Sequence, residues 1–137
     1  MPMNDDGAII DALYDALAQG DVAAARSCLT ADARIWHSFD QITQSADEAA
    51  KGWEQFIGAF AERYVADVRR QATAHGFVQQ HLQIAATGSR RMVWPICIVV
   101  DIVDGKIAQL AEYMDRAGHF AAPAEEPITT PGLTAAA

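Results

Sequence analysis

Two of the chain's ionisable side chains are of the types that acid–base chemistry uses. His37 closes the alternating segment Ala33-Arg34-Ile35-Trp36-His37, and Glu112 is a lone acid in the otherwise apolar pattern Leu110, Glu112, Met114. Projecting from different strands into one apolar hollow, such a pair could move a proton on and off a carbon next to a carbonyl. Apolar surroundings raise the pKa of a carboxylic acid and lower that of an imidazole, which brings both toward neutrality. Glu112 would then be base or acid according to its neighbours. Asp40, three residues beyond His37 in a loop, could orient the imidazole or simply cap a turn. The alternative is that Glu112 makes a static buried contact with His37, or with an arginine such as Arg34.

Other chemistries lack their residues. His37, His75, His81 and His119 show no His-Glu-x-x-His, His-x-His or clustered Cys/His spacing, so no metal is expected. There is no glycine-rich phosphate loop and no Gly-x-Ser-x-Gly, so no cofactor is expected either. Cys28 and Cys97 read as buried free thiols. With a formal net charge of −8 and no basic cluster beyond Arg69-Arg70 and Arg90-Arg91, nucleic acid is not an expected partner. No apolar run approaches membrane-spanning length, and Met1 to Asp6 lacks the regions of a secretory signal, so a cytoplasmic location away from membranes is expected.

The elements that must position these groups follow from periodicity. Ile10, Leu13, Tyr14 and Leu17 share one helical face, giving a first helix that ends at Gly20. Asp21 can cap a short second helix through Leu29. Ser45-Ala46-Asp47-Glu48 has the capping-box arrangement, and beyond it Trp53, Phe56, Ile57 and Phe60, continuing to Tyr64, form an aromatic stripe. From Val65 the period becomes two, over Val65 to Ala74, Phe77 to Ala86, Arg91 to Val103 and Lys106 to Asp115. The last two meet at Asp104-Gly105, a strong hairpin signal. These elements predict one α+β domain over 1–118, three N-terminal helices on a curved antiparallel sheet enclosing a pocket, with a tail over 119–137.

A two-residue turn at Asp104-Gly105 pairs Glu112 with Cys97, and one at Gly88-Ser89 pairs Gln80 with Cys97 and Leu82 with Pro95. That register predicts a pocket face carrying Gln80, Leu82, Cys97, Leu110, Glu112 and Met114, joined by Tyr14 and Trp53 from the helices, for a small apolar molecule. Trp94, Ile96, Ile98 and Val100 then fall on the outer face and predict a homodimer through it. A slip of one residue would exchange the faces and bring His81 inside.

The Gln19-Gly20-Asp21 junction, Ala31-Asp32-Ala33 before Ile35-Trp36-His37, and Asp104-Gly105-Lys106-Ile107 before Glu112-Tyr113-Met114-Asp115 resemble the nuclear transport factor 2-like superfamily. With Asp40 and Gly76-Phe77-Val78-Gln79-Gln80-His81, the chain looks most like its SnoaL-like branch of polyketide cyclases. The resemblance covers about Ile9 to Gly118 and implies a cone-shaped fold. It places the general-base aspartate of ketosteroid isomerase at His37, its protonated aspartate at Cys97 and its tyrosine at Leu13, none of them retained. The catalytic aspartate of the SnoaL-like cyclases falls at Glu112. The expectation is a cofactor-independent cyclase, isomerase or dehydratase acting on a small apolar carbonyl compound through His37 and Glu112. The rival is a binding protein of the same fold.

Overall fold

The computed structural model describes residues 6–114, so the expected tail and the 1–118 boundary lie outside the described residues. Among the described residues three helices and six strands follow in the order α1 (Asp6–Gln19), α2 (Val22–Ser27), β1 (Leu29–His37), β2 (Ile42–Ser45), α3 (Ala46–Ala59), β3 (Glu62–Ala72), β4 (Gly76–Thr87), β5 (Arg90–Val103) and β6 (Lys106–Met114). The starts of α2 and α3 are those the sequence signals. Asp21 accepts from the Ala24 amide at the head of α2, and Ser45 and Glu48 form a complete capping box at the head of α3. α3 stops at Phe60, whose backbone is extended, so Tyr64 belongs to β3 and leaves the aromatic stripe.

All six strands form one sheet in the order β2-β1-β6-β5-β4-β3. β3 to β6 make the expected antiparallel meander, whereas β1 lies parallel to β6, and β2 is a strand that the sequence pattern did not reveal. One face is covered by the helices: Ile10, Leu13 and Leu17 of α1 pack with Ile35, Ile98, Val100 and Ile107 in the main core. Leu82, Ile84 and Val93 make a second, smaller cluster with Ala66. Arg63, 8% exposed, locks the ends of two helices by donating to the Leu17 and Ala18 carbonyls of α1 and to those of Ile57 and Phe60 at the end of α3. Carbonyls at helix ends lack the amide partners of the helix interior, and one guanidinium serves both ends, sharing the Leu17 carbonyl with the Gly20 amide.

A bulge decides which residues share the site. The final hairpin starts as the sequence predicts, with Asp104 and Gly105 both at positive φ, Val103 opposite Lys106 and Ile102 opposite Ile107. The next pair is Asp101 with Gln109, so Ala108 is an extra residue on β6 and every later pair is shifted by one. Glu112 therefore stands opposite Ile98 rather than Cys97. Leu110, Glu112 and Met114 still face the helices, but β5 turns its other side to them, and β4 follows because its own register, Gln80 with Cys97 and Leu82 with Pro95, is the expected one.

The correction reaches three expected pocket residues and the expected dimer surface. Gln80 is exposed, Cys97 is half-buried away from the helices, and Leu82 lies in the second cluster. Trp94, Ile96, Ile98 and Val100 are on the inner face, where Ile98 and Val100 are fully buried under this chain's own helices, so they cannot form the predicted interface.

Candidate active site

Under the helices the sheet leaves a cavity of about 560 Å³, within the range that takes a small organic ligand. β1 and β6 bring its acid–base pair together. Their parallel register sets His37 beside Glu112, with His37 Nε2 3.5 Å from Glu112 Oε1, and each side chain keeps less than a fifth of its surface exposed. Ser38 fixes that register. Its amide donates to the Glu112 carbonyl, and its hydroxyl donates to the Met114 carbonyl while accepting from the Met114 amide. The sequence reading overlooked Ser38, because a lone serine after a strand carries no signal of its cross-strand partner.

Asp40 also lines the cavity, and its Oδ1 accepts from the Ile42 amide in the turn between β1 and β2. That is the turn-capping role of a short carboxylate. The His37 ring is tilted over Phe39, with centroids 5.0 Å apart. Away from the pair the wall is aromatic. Phe56 of α3 and Phe60 just beyond its end meet Trp94 of β5 at ring separations of 6.3 and 5.9 Å, and Trp53 lies among the lining residues. Gln83 adds a polar group there, its amide nitrogen donating to the Tyr64 and Ile84 carbonyls.

Tyr14 supplies a donor. Burial raises its phenol pKa well above the ordinary value, and the Glu112 charge raises it further, so the hydroxyl keeps its proton. Behind it stands His81, 1% exposed and edge-on to the Tyr14 ring at 4.9 Å. Burial, aided by Arg70, lowers its pKa to about 4.

Of the residues singled out from sequence, the structure brings His37, Asp40, Glu112, Tyr14, Trp53, Leu110 and Met114 to the cavity and leaves Gln80, Leu82 and Cys97 elsewhere. It adds Phe39, Gln44, Phe56, Phe60, Gln83 and Trp94. The aromatic stripe on α3 was the signal for Phe56 and Phe60, and the face exchange explains Gln83 and Trp94. Among the described residues no group of three or more His, Cys, Asp or Glu side chains is placed to hold a metal ion, and no helix is long and apolar enough to cross a membrane.

The sequence profile of the SnoaL-like domain matches residues 10–110, nearly all of the sheet and helices just described. The chain belongs to the SnoaL-like domain family. Its fold is accordingly the nuclear transport factor 2-like, ketosteroid isomerase-like one, with helices on a six-stranded sheet. Solved structures agree on that fold at low identity. An LEH-like epoxide hydrolase of M. tuberculosis is 18% identical with a TM-score of 0.71, covering 85% of this chain and 86% of that one. AclR of Streptomyces galilaeus, a candidate hydroxylase, is 14% identical with a TM-score of 0.73, over 85% and 93%. A candidate SnoaL-like polyketide cyclase of Shewanella putrefaciens CN-32 is 8% identical with a TM-score of 0.72, over 85% and 94%. No curated protein matches this SnoaL-like chain by sequence. The named activities of these neighbours differ, so the fold they share does not choose a reaction.

Proposed function

We propose that this SnoaL-like protein is a cofactor-independent acid–base enzyme that shifts a proton at the carbon next to a carbonyl in a small apolar compound, as in cyclisation, isomerisation or dehydration. The observation that carries the reading is the 3.5 Å approach of His37 Nε2 to Glu112 Oε1 at the wall of a cavity that Phe56, Phe60 and Trp94 also line. Proton abstraction needs a base near the carbon and a donor near the oxygen that gains charge. Glu112, with His37 beside it, supplies the first. Tyr14, held as a neutral phenol, supplies the second. The aromatic wall of Phe56, Phe60 and Trp94 would hold the body of the ligand and keep water away from the reacting atoms.

The same cavity could hold a ligand without turning it over, and one probe separates the two readings. 2-Tetralone is an apolar bicyclic ketone with exchangeable protons beside its carbonyl. In heavy water the wild-type protein is expected to speed deuterium incorporation at those carbons. Glu112→Gln should lower that rate by roughly 10²- to 10⁴-fold while leaving 2-tetralone binding largely intact. Binding with no acceleration by the wild type, or an unchanged rate in Glu112→Gln, would reject the enzymatic reading.

A further inference from the structure

A closed loop of side chains ties α1 to the sheet behind the site. Asp11 and Tyr14 lie one turn apart on α1. Asp11 Oδ1 accepts from Arg70 Nη2 of β3 at 2.6 Å, and Arg70 Nε donates to Gln79 Oε1 of β4 at 2.8 Å. Gln79 Nε2 then lies 3.1 Å from His81 Nδ1, and the His81 ring returns to α1 edge-on against Tyr14. Gln79 and His81 are each 1% exposed.

Donor and acceptor chemistry fixes a proton in this loop. A guanidinium only donates, so Gln79 turns its carbonyl to Arg70 and its amide hydrogens to His81. Nδ1 must accept, and the single proton of the neutral imidazole sits on Nε2. That Nε2 has no hydrogen-bond partner among the described residues. A buried donor left this way is a cost to the fold, and it is tolerated where the group is needed in one place. The ionisable groups that act on the ring are Tyr14 of α1, edge-on against it, and Arg70 of β3, whose charge together with burial disfavours protonation; Asp11 and Glu112 act one step further out, on Arg70 and Tyr14.

We propose that His81 is a positioning residue for Tyr14: the Asp11–Arg70–Gln79 chain holds it in one tautomer, and its fixed ring sets where the phenol meets the ligand's oxygen. A phenyl ring in its place would fill the space but would lack the hydrogen bond from Gln79 that fixes the plane of the imidazole. The inference rests on the reading of Tyr14 as the donor to the carbonyl oxygen.

The test uses the full chain labelled with ¹⁵N-histidine and ¹³C-tyrosine. His81 is expected as the Nε2–H form, titrating only near pH 4. Gln79→Glu offers Nδ1 an acceptor instead of a donor. It should move the proton to Nδ1, raise the titration and shift the Tyr14 ring signals while the His37 signals stay put. With 2-tetralone, Gln79→Glu and His81→Phe should each slow deuterium exchange roughly 10- to 100-fold. In a Tyr14→Phe background, His81→Phe should cost nothing more. An Nδ1–H tautomer in the wild type, Tyr14 signals unmoved by both substitutions, or effects of Tyr14→Phe and His81→Phe that multiply would each overturn the proposal. Should the wild type fail to exchange 2-tetralone, the enzymatic reading falls, while the tautomer and the Tyr14 signals still decide this one.

Discussion

His37 and His81 look into the same side of the sheet and differ in almost everything else. His37 sits at the cavity wall with a carboxylate 3.5 Å away, and about a fifth of its side chain is exposed. His81 is 1% exposed, has Gln79 on one nitrogen, and has no hydrogen-bond partner on the other among the described residues. An imidazole that moves protons needs an acid or base beside it and access to the reactant. One that holds a neighbour in place needs a single tautomer and no water. The residue type is the same, and the elements that carry it set which task it can do.

The largest effect that would break this contrast is on rate. His37→Asn is expected to slow 2-tetralone exchange by roughly 10²- to 10⁴-fold with little change in unfolding midpoint, measured by NMR exchange and urea titration. A large loss of stability with the rate preserved would make His37 a structural residue instead. The second effect is on stability against pH. The His81 pKa is lowered in the folded state to about 4 from 6.5, so its contribution is fully present above pH 6.5. It is lost as pH falls toward 4, because the unfolded chain takes up the proton first. The full swing is on the order of 3 kcal/mol. His81→Gln should flatten that part of the profile of melting temperature against pH.

A smaller loss tests the chain that holds His81. Arg70 reaches Asp11 and Gln79, lies over the Phe77 ring and packs against Gly7, so Arg70→Met should cost about 2 kcal/mol in urea unfolding and free the His81 tautomer. Smallest is Ser45→Ala at the head of α3, which touches neither histidine. It removes the capping box for about 1 kcal/mol and should leave exchange unchanged.

Most of the architecture was legible because it rests on local chemistry. The Ser45 and Glu48 capping box, the Asp21 cap and the Asp104-Gly105 turn each act within four residues, and all three are present. The site was legible only in part. Glu112 was readable as an isolated polar group in an apolar pattern, and His37 through the family resemblance, at the end of the first strand. The face of β5 was not, because one inserted residue, Ala108, reverses it, and a small residue in a strand gives no sign of being a bulge. That single insertion sent Gln80, Leu82 and Cys97 away from the cavity and brought Gln83 and Trp94 to it. Arg63 was equally hidden, since the carbonyls it satisfies lie at the ends of two helices distant in sequence.

The seam between β1 and β6 sets when the site can exist. Ser38 and Met114, which close it, are 76 residues apart in the chain. Helices and hairpins can form early from nearby residues, but this contact waits for the closure of a long loop and for the synthesis of the last strand. A nascent chain that stops short of Glu112 would bury much of its core and still have no acid to pair with His37. The proposed reactivity therefore depends on a contact between the two halves of the chain, and no local segment can supply it alone.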